Sequence, residues 1–310
     1  MANITAKDVA ELRSKTGCGM MDCKKALVEA DGNFDEAVKL LREKGLAKAD
    51  AKAGRIAAEG VVDIMLSDDK QTAAMVEVNS ETDFVAKNET FREFVRAILR
   101  TILKNRPADV DALLTEKLEG SDETVEAELK SKIFTIGEKL SIRRFVIVDG
   151  TLTTYIHGAG VSGVIVKFDA DDAAKNAPNF AEVTKNVALQ VASMECRFVN
   201  RDAVPAEVIK SETEINLAKI ANDPKNANKP DAIKEKMAAG MLNKFFETVC
   251  LAEQAYVKED SISVEKYLDR EAKAVGGSIK LVDFFRYEKG EGLEKREDNF
   301  AEEIANMVKK

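Results

Sequence analysis

Two short apolar runs on either side of a polar turn constrain the fold of this chain more than any other feature. Residues 61–66 and 72–78 are rich in Val, Ala, Met and Ile, and the polar residues 67–70 separate them. Such a pattern predicts a β-hairpin. At 310 residues the chain is long enough for two or three domains, so the hairpin is one part of a larger molecule.

The hairpin is followed by two helical segments and three strand-like segments, with a further helix and a further strand later in the chain. Strands and helices that occur in separate runs are typical of α+β folds. We therefore expect a core with antiparallel sheets, divided into one subdomain at residues 61–140 and another at 141–204 and 250–290. The segments are predicted helices at 89–104, 123–139 and 180–194 and predicted strands at 142–148, 152–157, 163–168 and 279–287.

Residues 1–45 are predicted to form a compact three-helix module that resembles a ubiquitin-associated domain in outline. Thr5, followed three residues later by Asp8, is a capping-box-like helix start. Glycine favours the left-handed backbone at a helix end, and glycines stand at the three expected stops: Gly17, Gly32 and Gly45. Residues 46–60, rich in Ala and Lys, are predicted to be a semi-rigid, partly helical linker.

Residues 205–249 contain two helical stretches, each opened by a proline and joined by a turn at residues 222–226. This arrangement predicts an antiparallel helical hairpin that projects from the core. Only short heptad-like patches are present, which excludes a long coiled coil. Residues 291–310 are predicted to form a C-terminal module with a helix at about 297–309.

The charge balance and the cysteine content exclude several classes of protein. The 47 basic and 55 acidic residues give a net charge of −8, whereas nucleic-acid binders usually carry a basic excess. Four scattered cysteines do not form the framework of a secreted disulfide-rich domain. The chain shows no signal-peptide pattern and no apolar run of about 18 residues. We expect a cytoplasmic protein without direct contact to nucleic acid or membrane.

Catalytic and metal-binding patterns are absent from the sequence. There is no phosphate-binding glycine loop, no nucleophile elbow and no zinc-protease motif. His157, the single histidine, is better interpreted as a structural or contact residue than as a catalytic base. Cys18 and Cys23 lack a second ligand pair and are better interpreted as buried thiols. We therefore expect no enzyme, no metal and no cofactor.

The adjacent methionines Met20 and Met21 follow a glycine-rich turn and are open to two interpretations. Flexible, polarizable methionines serve either as filler in an irregular core or as an adaptable surface for a partner protein. The residues alone do not decide between the two.

The segment at residues 79–88 (NSETDFVAKN) lies between a predicted strand and a predicted helix. In one interpretation Thr82 caps a short helix while Phe84 and Val85 enter the core. In the other, Asp83 and Phe84 project freely from the start of a helix or loop. A projecting acid beside an aromatic would be a contact site.

Several blocks of sequence, in a fixed order along the chain, resemble the signatures of the elongation factor Ts family. Two of them are long and specific, at residues 17–27 (GCGMMDCKKAL) and 81–88 (ETDFVAKN). The others lie at residues 136–144 (IGEKLSIRR), 155–158 (YIHG) and 290–295 (GEGLEK), so the resemblance covers nearly the whole chain. It departs from the family where Gly160 stands near the position of a usual arginine.

The resemblance implies a guanine nucleotide exchange factor for the GTPase elongation factor Tu in translation elongation. Such a factor binds the GDP complex, displaces Mg²⁺ and promotes GDP release so that GTP can bind. One implied contact group lies at the partner's magnesium site: Thr82, Asp83, Phe84 and Val85. A second contacts the GTPase domain: Leu12, Arg13, Met20 and Met21. His157 supports the contact of the core, and the hairpin at 205–249 is a secondary contact or pairs two copies as a homodimer.

A non-enzymatic interaction adaptor is the rival interpretation. The three-helix outline of the N-terminal module would by itself also suit peptide binding by a ubiquitin-associated domain. An adaptor would not enrich one abundant GTPase in its nucleotide-free form, which separates the two hypotheses.

Overall fold

The computed structural model describes residues 4–226 and 229–294. These residues form α-helices and small antiparallel sheets, which confirms the predicted α+β class. The predicted helix at 297–309, and most of the predicted C-terminal module, lie outside the described residues. Across the described ranges, every helix is too short or too polar to cross a membrane.

Three helices form the N-terminal part of the chain: α1 (Ala6–Thr16), α2 (Met20–Glu29) and α3 (Phe34–Lys52). The predicted capping box is present at the start of α1, where Thr5 and Asp8 bond each other's backbone N–H groups. Gly17 ends α1 in the left-handed conformation, with φ 69°. Both thiols of this part, Cys18 and Cys23, are buried in its apolar cluster as predicted.

The prediction that Gly45 ends the third helix is wrong, because α3 continues to Lys52. A glycine inside a helix costs about 1 kcal/mol relative to alanine. Here the missing side chain lets Phe134 pack closely, since a Cβ at Gly45 would lie 3.4 Å from the Cβ of Phe134. The predicted linker at 46–60 therefore begins as rigid helix, and β1 already starts at Glu59.

The strands form two three-stranded antiparallel sheets and a small ribbon. In chain order they are β1 (Glu59–Leu66), β2 (Thr72–Ser80), β3 (Leu140–Asp149), β4 (Thr151–His157), β5 (Ser162–Ala170), β6 (Ala255–Tyr256), β7 (Glu259–Ser263) and β8 (Ile279–Glu288). The first sheet has the order β1-β2-β3 and the second β4-β5-β8, while β6 and β7 pair with each other. The predicted hairpin of β1 and β2 is confirmed.

Strand β3 belongs to the first sheet, where Arg144 pairs with Glu77 of β2. The boundary predicted between residues 140 and 141 would place β3 in the second subdomain, and this assignment is wrong. A local pattern identifies a strand but not its partner, which is chosen by contacts distant in sequence. The chain turns from one sheet to the other at Gly150, with φ 129°. We propose Gly150 as the boundary.

The remaining helices cover the outer faces of the two sheets or form the hairpin. They are α4 (Asp83–Ala86), α5 (Glu89–Asn105), α6 (Val110–Thr115), α7 (Val125–Ile136), α8 (Asp172–Lys175), α9 (Phe180–Ser193), α10 (Ala206–Asn222), α11 (Asp231–Val249) and α12 (Val264–Ala274). Helix α5 packs on the first sheet, and α9 and α12 pack on the second. Sequence reasoning missed α12 and the ribbon of β6 and β7.

The inner faces of the two sheets pack against each other. Met75 of β2 and Ile165 of β5 are fully buried in the cluster between them, while Val76 points to the opposite face and the α5 side. At Gly163 a Cβ would lie only 2.7 Å from Cγ1 of Val62, so glycine is required for this close approach. The predicted helical hairpin is present as α10 and α11, which pack along each other.

Candidate functional site

Phe84, in the one-turn helix α4, is the most exposed large apolar side chain among the described residues, at 78%. Its neighbours Val85 and Ala86 are buried in the apolar cluster below the first sheet. The interpretation that both Phe84 and Val85 enter the core is thus wrong for Phe84 and confirmed for Val85. The four-residue helix turns one face inward and holds the aromatic ring in solvent.

The C-terminal end of α4 is tied to the long helix α5. The N–H of Asn88 donates to the Val85 carbonyl at 2.9 Å, and the Asn88 side chain accepts from the N–H of Thr90 at 2.8 Å. Asn88 is therefore the N-cap of α5. Because α5 is anchored by Phe91 and Phe94 in the same cluster, α4 rests on a rigid support.

Thr82 stands at the N-cap position of α4, but its side chain does not cap the helix, contrary to the first of the two interpretations of this segment. Its hydroxyl donates to Oε1 of Glu138 at 2.7 Å, and its N–H donates to Oε2 of the same carboxylate at 3.0 Å. Its carbonyl accepts from the Ser80 hydroxyl at 2.9 Å. Every backbone and side-chain polar group of Thr82 thus has a partner in the framework.

Asp83 is half-exposed beside Phe84 and forms a surface ion pair with Lys87, with Nζ and Oδ2 2.6 Å apart. The hydrogen bond from Lys87 is the main reason that the pKa of Asp83 lies below its usual value. The carboxylate is therefore ionised at neutral pH. An exposed pair one helical turn apart contributes little to stability, so a partner can displace Lys87 at small cost.

The second predicted contact group lies at the tip of the N-terminal helices. Met20 and Met21, in the first turn of α2, are exposed at 45% and 62%, which favours the contact surface over core filler. Arg13 is also exposed. Leu12 is fully buried in the core of the three helices, so the predicted direct contact of its side chain is wrong. Its role is to support the helices.

A cleft of about 440 Å³ separates the N-terminal helices from α4. Gly17 lies on one wall, and Phe84 lies on the other. The end of α7 also contributes, with Thr135 and Ile136. Phe84 and Val85 of the first predicted contact group line this cleft, whereas Met20 and Met21 of the second group do not.

His157 ends β4 and is exposed, and its Nδ1 lies 3.1 Å from the Tyr155 hydroxyl. The turn that follows is held in place, because Gly160 accepts from the N–H of Val62 at 2.9 Å. Arg92 of α5 donates to the Ala159 carbonyl at 2.7 Å. His157 is thus a surface residue on a fixed turn that is tied to the same helix that supports α4.

A buried charged cluster around Glu77 was missed by sequence reasoning. Arg143 and Arg144 both bond its fully buried carboxylate, which also accepts from the N–H of Gly290. Burial alone would raise the pKa of Glu77, but the bonds from Gly290, Asn79, Arg144 and Arg143 outweigh it and lower the pKa. In the sequence, the pair of adjacent arginines in the predicted strand at 142–148 is the signal that could have revealed this cluster. The cluster connects the block at 136–144 to the block that begins at Gly290.

Comparisons with known proteins agree with these features. The model of the family described as elongation factor Ts matches residues 81–291. Elongation factor Ts of Clostridioides difficile (strain 630) is 50% identical over 312 aligned residues, which cover all of both chains. Elongation factor Ts of Syntrophotalea carbinolica is 45% identical and that of Clostridium perfringens (strain SM101) 44% identical, over at least 98% of this chain and 99% of theirs.

The chain is therefore one of the elongation factors of protein biosynthesis. Among them, it belongs to the elongation factor Ts family, as the blocks of sequence predicted.

Proposed function

We propose that this chain is the guanine nucleotide exchange factor of elongation factor Tu, and that it acts by binding rather than by catalysis of a covalent step. It binds the GDP complex, displaces Mg²⁺ and promotes GDP release so that GTP can bind. Membership of the elongation factor Ts family supports the choice of partner. The observation that carries the proposal is the exposed ring of Phe84 on an anchored helix.

Phe84 is suited to enter an apolar pocket of the GTPase. Complete burial of a phenylalanine side chain contributes about 1.5–3 kcal/mol. The helix that carries it is already held by Val85 and Ala86, so little conformational entropy is lost on binding. Most of the free energy gained by burying the rigidly held ring is therefore available to deform the partner.

Asp83 lies next to this wedge-like ring and brings a negative charge to the metal site. Mg²⁺ requires nearly ideal octahedral geometry, so a displaced ligand or a competing carboxylate weakens its binding. The exposed ion pair with Lys87 opens readily for such a contact. Loss of the ion then removes the charge that holds the phosphates of GDP.

Exchange requires coupling between the two binding events. If this chain weakens GDP binding by some factor, GDP weakens binding of the chain by the same factor. If the two affinities change by a large ratio, the chain must prefer the nucleotide-free shape of the GTPase by several kcal/mol. This is more than Phe84 alone supplies. We assign the remainder to Met20, Met21 and Arg13, with His157 supporting the contact of the core.

GDP release tests the proposal directly. Elongation factor Tu loaded with a fluorescent GDP analogue is mixed with this chain, and the release rate is compared for the wild type and Phe84→Ala. We expect release to slow at least tenfold while the thermal midpoint of the variant is unchanged, because the ring makes few contacts within the chain. Val257→Ala, which also shortens an exposed apolar side chain, is the matched control. Equal rates for wild type and Phe84→Ala would refute the proposal.

The homodimer through residues 205–249 stays a prediction. Exposed apolar side chains on both helices of the hairpin support it, namely Ile215, Leu217 and Ile233.

A further inference from the structure

The loop after α7 contacts the segment before α4 through the carboxylate of Glu138. Helix α7 ends at Gly137 in the left-handed conformation, with φ 87°, and this turn directs Glu138 toward Thr82. These two residues are 56 positions apart in the chain. The proposed function assigns no role to the block at 136–144 that contains Glu138.

We propose that Glu138 is the positioning residue that holds Asp83 and Phe84 in the orientation needed for nucleotide exchange. The inference rests on the proposed function and adds a residue that does not itself enter the nucleotide site. It acts through Thr82, the residue immediately before Asp83.

The geometry at Thr82 leaves no freedom for the backbone that enters α4. Both donors of Thr82 go to the two oxygens of one carboxylate, at 2.7 and 3.0 Å. The third polar group, the carbonyl, is held by the hydroxyl of the fully buried Ser80. Hydrogen bonds to a charged acceptor are about twice as strong as neutral ones.

Lys139, the residue after Glu138, adds hydrogen bonds in which it is the donor. The N–H of Lys139 donates to Oε1 of Glu81 at 2.6 Å, and Nζ of Lys139 donates to the carbonyl of Arg55 at 2.8 Å. Residues 138 and 139 thus hold residues 81 and 82 at two points. Two points of attachment fix the orientation of the segment at residues 81–82 as well as its position.

External support is needed because α4 is too short to hold its own orientation. An isolated helix of fewer than about 12 residues is marginal in water, and α4 has four residues. The Thr82 hydroxyl is turned away to Glu138, so the helix has no side-chain cap. Val85 and Ala86 anchor only the inner face, so the chain that enters α4 is held by the bonds of Glu138, Lys139 and Ser80.

Only a carboxylate satisfies both donors of Thr82. A glutamine at this position has the same shape but a single acceptor oxygen; when that oxygen accepts from the Thr82 N–H, the amide N–H₂ faces the hydroxyl, which must then accept instead of donate. Glu138→Gln therefore removes the negative charge from both bonds and reverses the one to the hydroxyl, whereas Glu138→Ala removes both bonds. Glu126→Gln on α7 is the matched control, because that exposed carboxylate forms an ion pair with Lys130 on the surface and is not bonded to Thr82.

The test combines amide hydrogen exchange in the free chain with GDP release from elongation factor Tu. For Glu138→Ala we expect the Thr82 amide to exchange at least tenfold faster while amides of α5 keep their protection. We expect GDP release to slow about tenfold, which corresponds to about 1.4 kcal/mol. Glu138→Gln should lie between wild type and Glu138→Ala, and Glu126→Gln should match the wild type.

Combination with Phe84→Ala distinguishes positioning from direct contact. If Glu138 acts through Asp83 and Phe84, Glu138→Ala slows GDP release by a smaller factor in the Phe84→Ala background than in the wild type, because only the contribution of Asp83 remains to be lost. Full additivity, unchanged protection of the Thr82 amide, or faster amide exchange with normal GDP release would each overturn the inference. Should Glu138→Ala unfold, Thr82→Val removes one of the bonds and gives the same readouts. A fully active Phe84→Ala would instead refute the proposed function, while amide protection still reports whether Glu138 holds the segment.

Discussion

Glu77→Gln is expected to destabilise the chain strongly and to change its response to acid. The substitution keeps the shape of the side chain but removes the charge that Arg143 and Arg144 share, at 3.0 and 2.7 Å. Loss of one partner from a buried ion pair costs about 3–5 kcal/mol. The two arginine side chains retain 25% and 30% exposure, so water compensates in part and we expect about 3 kcal/mol.

The same cost predicts a measurable shift in thermal unfolding. With an unfolding entropy of about 2.1 cal/mol/K per residue, about 3 kcal/mol lowers the midpoint by about 5 °C. Calorimetry or circular dichroism at pH 7 measures this shift. Glu126→Gln, which neutralises an exposed carboxylate, should shift the midpoint by no more than about 1 °C.

The lowered pKa of Glu77 predicts how the stability difference between wild type and Glu77→Gln changes with pH. The folded-state pKa of Glu77 is lowered, so its stabilisation is fully present above the unfolded pKa of about 4.3 and is lost as the pH falls through the folded value. The difference in stability between wild type and Glu77→Gln should therefore be constant from pH 7 to about pH 5 and shrink below that. A difference that is absent at pH 7, or that does not change in acid, would refute the reasoning.

Three further outcomes are expected. Asp83→Asn should slow GDP release, as measured with the fluorescent analogue. It should leave the thermal midpoint within about 2 °C of the wild type, because the ion pair with Lys87 is exposed. A normal release rate would show that the charge of Asp83 is not needed for exchange. Gly163→Ala should destabilise the fold by about 1–3 kcal/mol in denaturant titration, since its Cβ would lie 2.7 Å from Val62, and an unchanged midpoint would show that the sheets can separate freely. Ile215→Asp combined with Ile233→Asp should convert a dimer to a monomer in light scattering, and a monomeric wild type would end the prediction of pairing through the hairpin.

Local signals in the sequence predicted the elements whose causes are local. The capping box at Thr5 and Asp8 and the glycine stop at Gly17 involve neighbours in the chain, and all are present. The hairpin of β1 and β2 has its turn and both strands within residues 59–80. Such features need no knowledge of the rest of the fold.

Contacts distant in sequence explain what the sequence did not reveal. Helix α3 continues through Gly45, where Phe134, far along the chain, packs against the glycine. Strand β3 joins the first sheet through pairs such as Glu77 with Arg144. Leu12 falls inside the three-helix core, where only the packing of all three helices buries it.

The orientation of the side chains at the candidate site also depends on contacts between residues distant in sequence. The segment at 81–88 was identified from its residues, but neither its composition nor its spacing decided whether Phe84 faces the core or the solvent. In the structure Val85 and Ala86 lie in the apolar cluster and Thr82 donates two hydrogen bonds to Glu138, while the ring of Phe84 faces the solvent. The partner of Thr82 lies 56 residues away, in a block that was identified by its sequence but not linked to Thr82 by it.

We propose that Phe84 contributes more to binding of the nucleotide-free shape of elongation factor Tu than to binding of the GDP–Mg²⁺ shape. Titration calorimetry of wild type and Phe84→Ala against both forms measures this preference as a ratio of dissociation constants. We predict that the wild type strongly prefers the nucleotide-free form and that Phe84→Ala lowers the ratio between about tenfold and about a hundredfold, as burial of the ring implies. If the substitution weakened binding to both forms equally, the ring would be an anchor rather than a wedge, and the account would be contradicted.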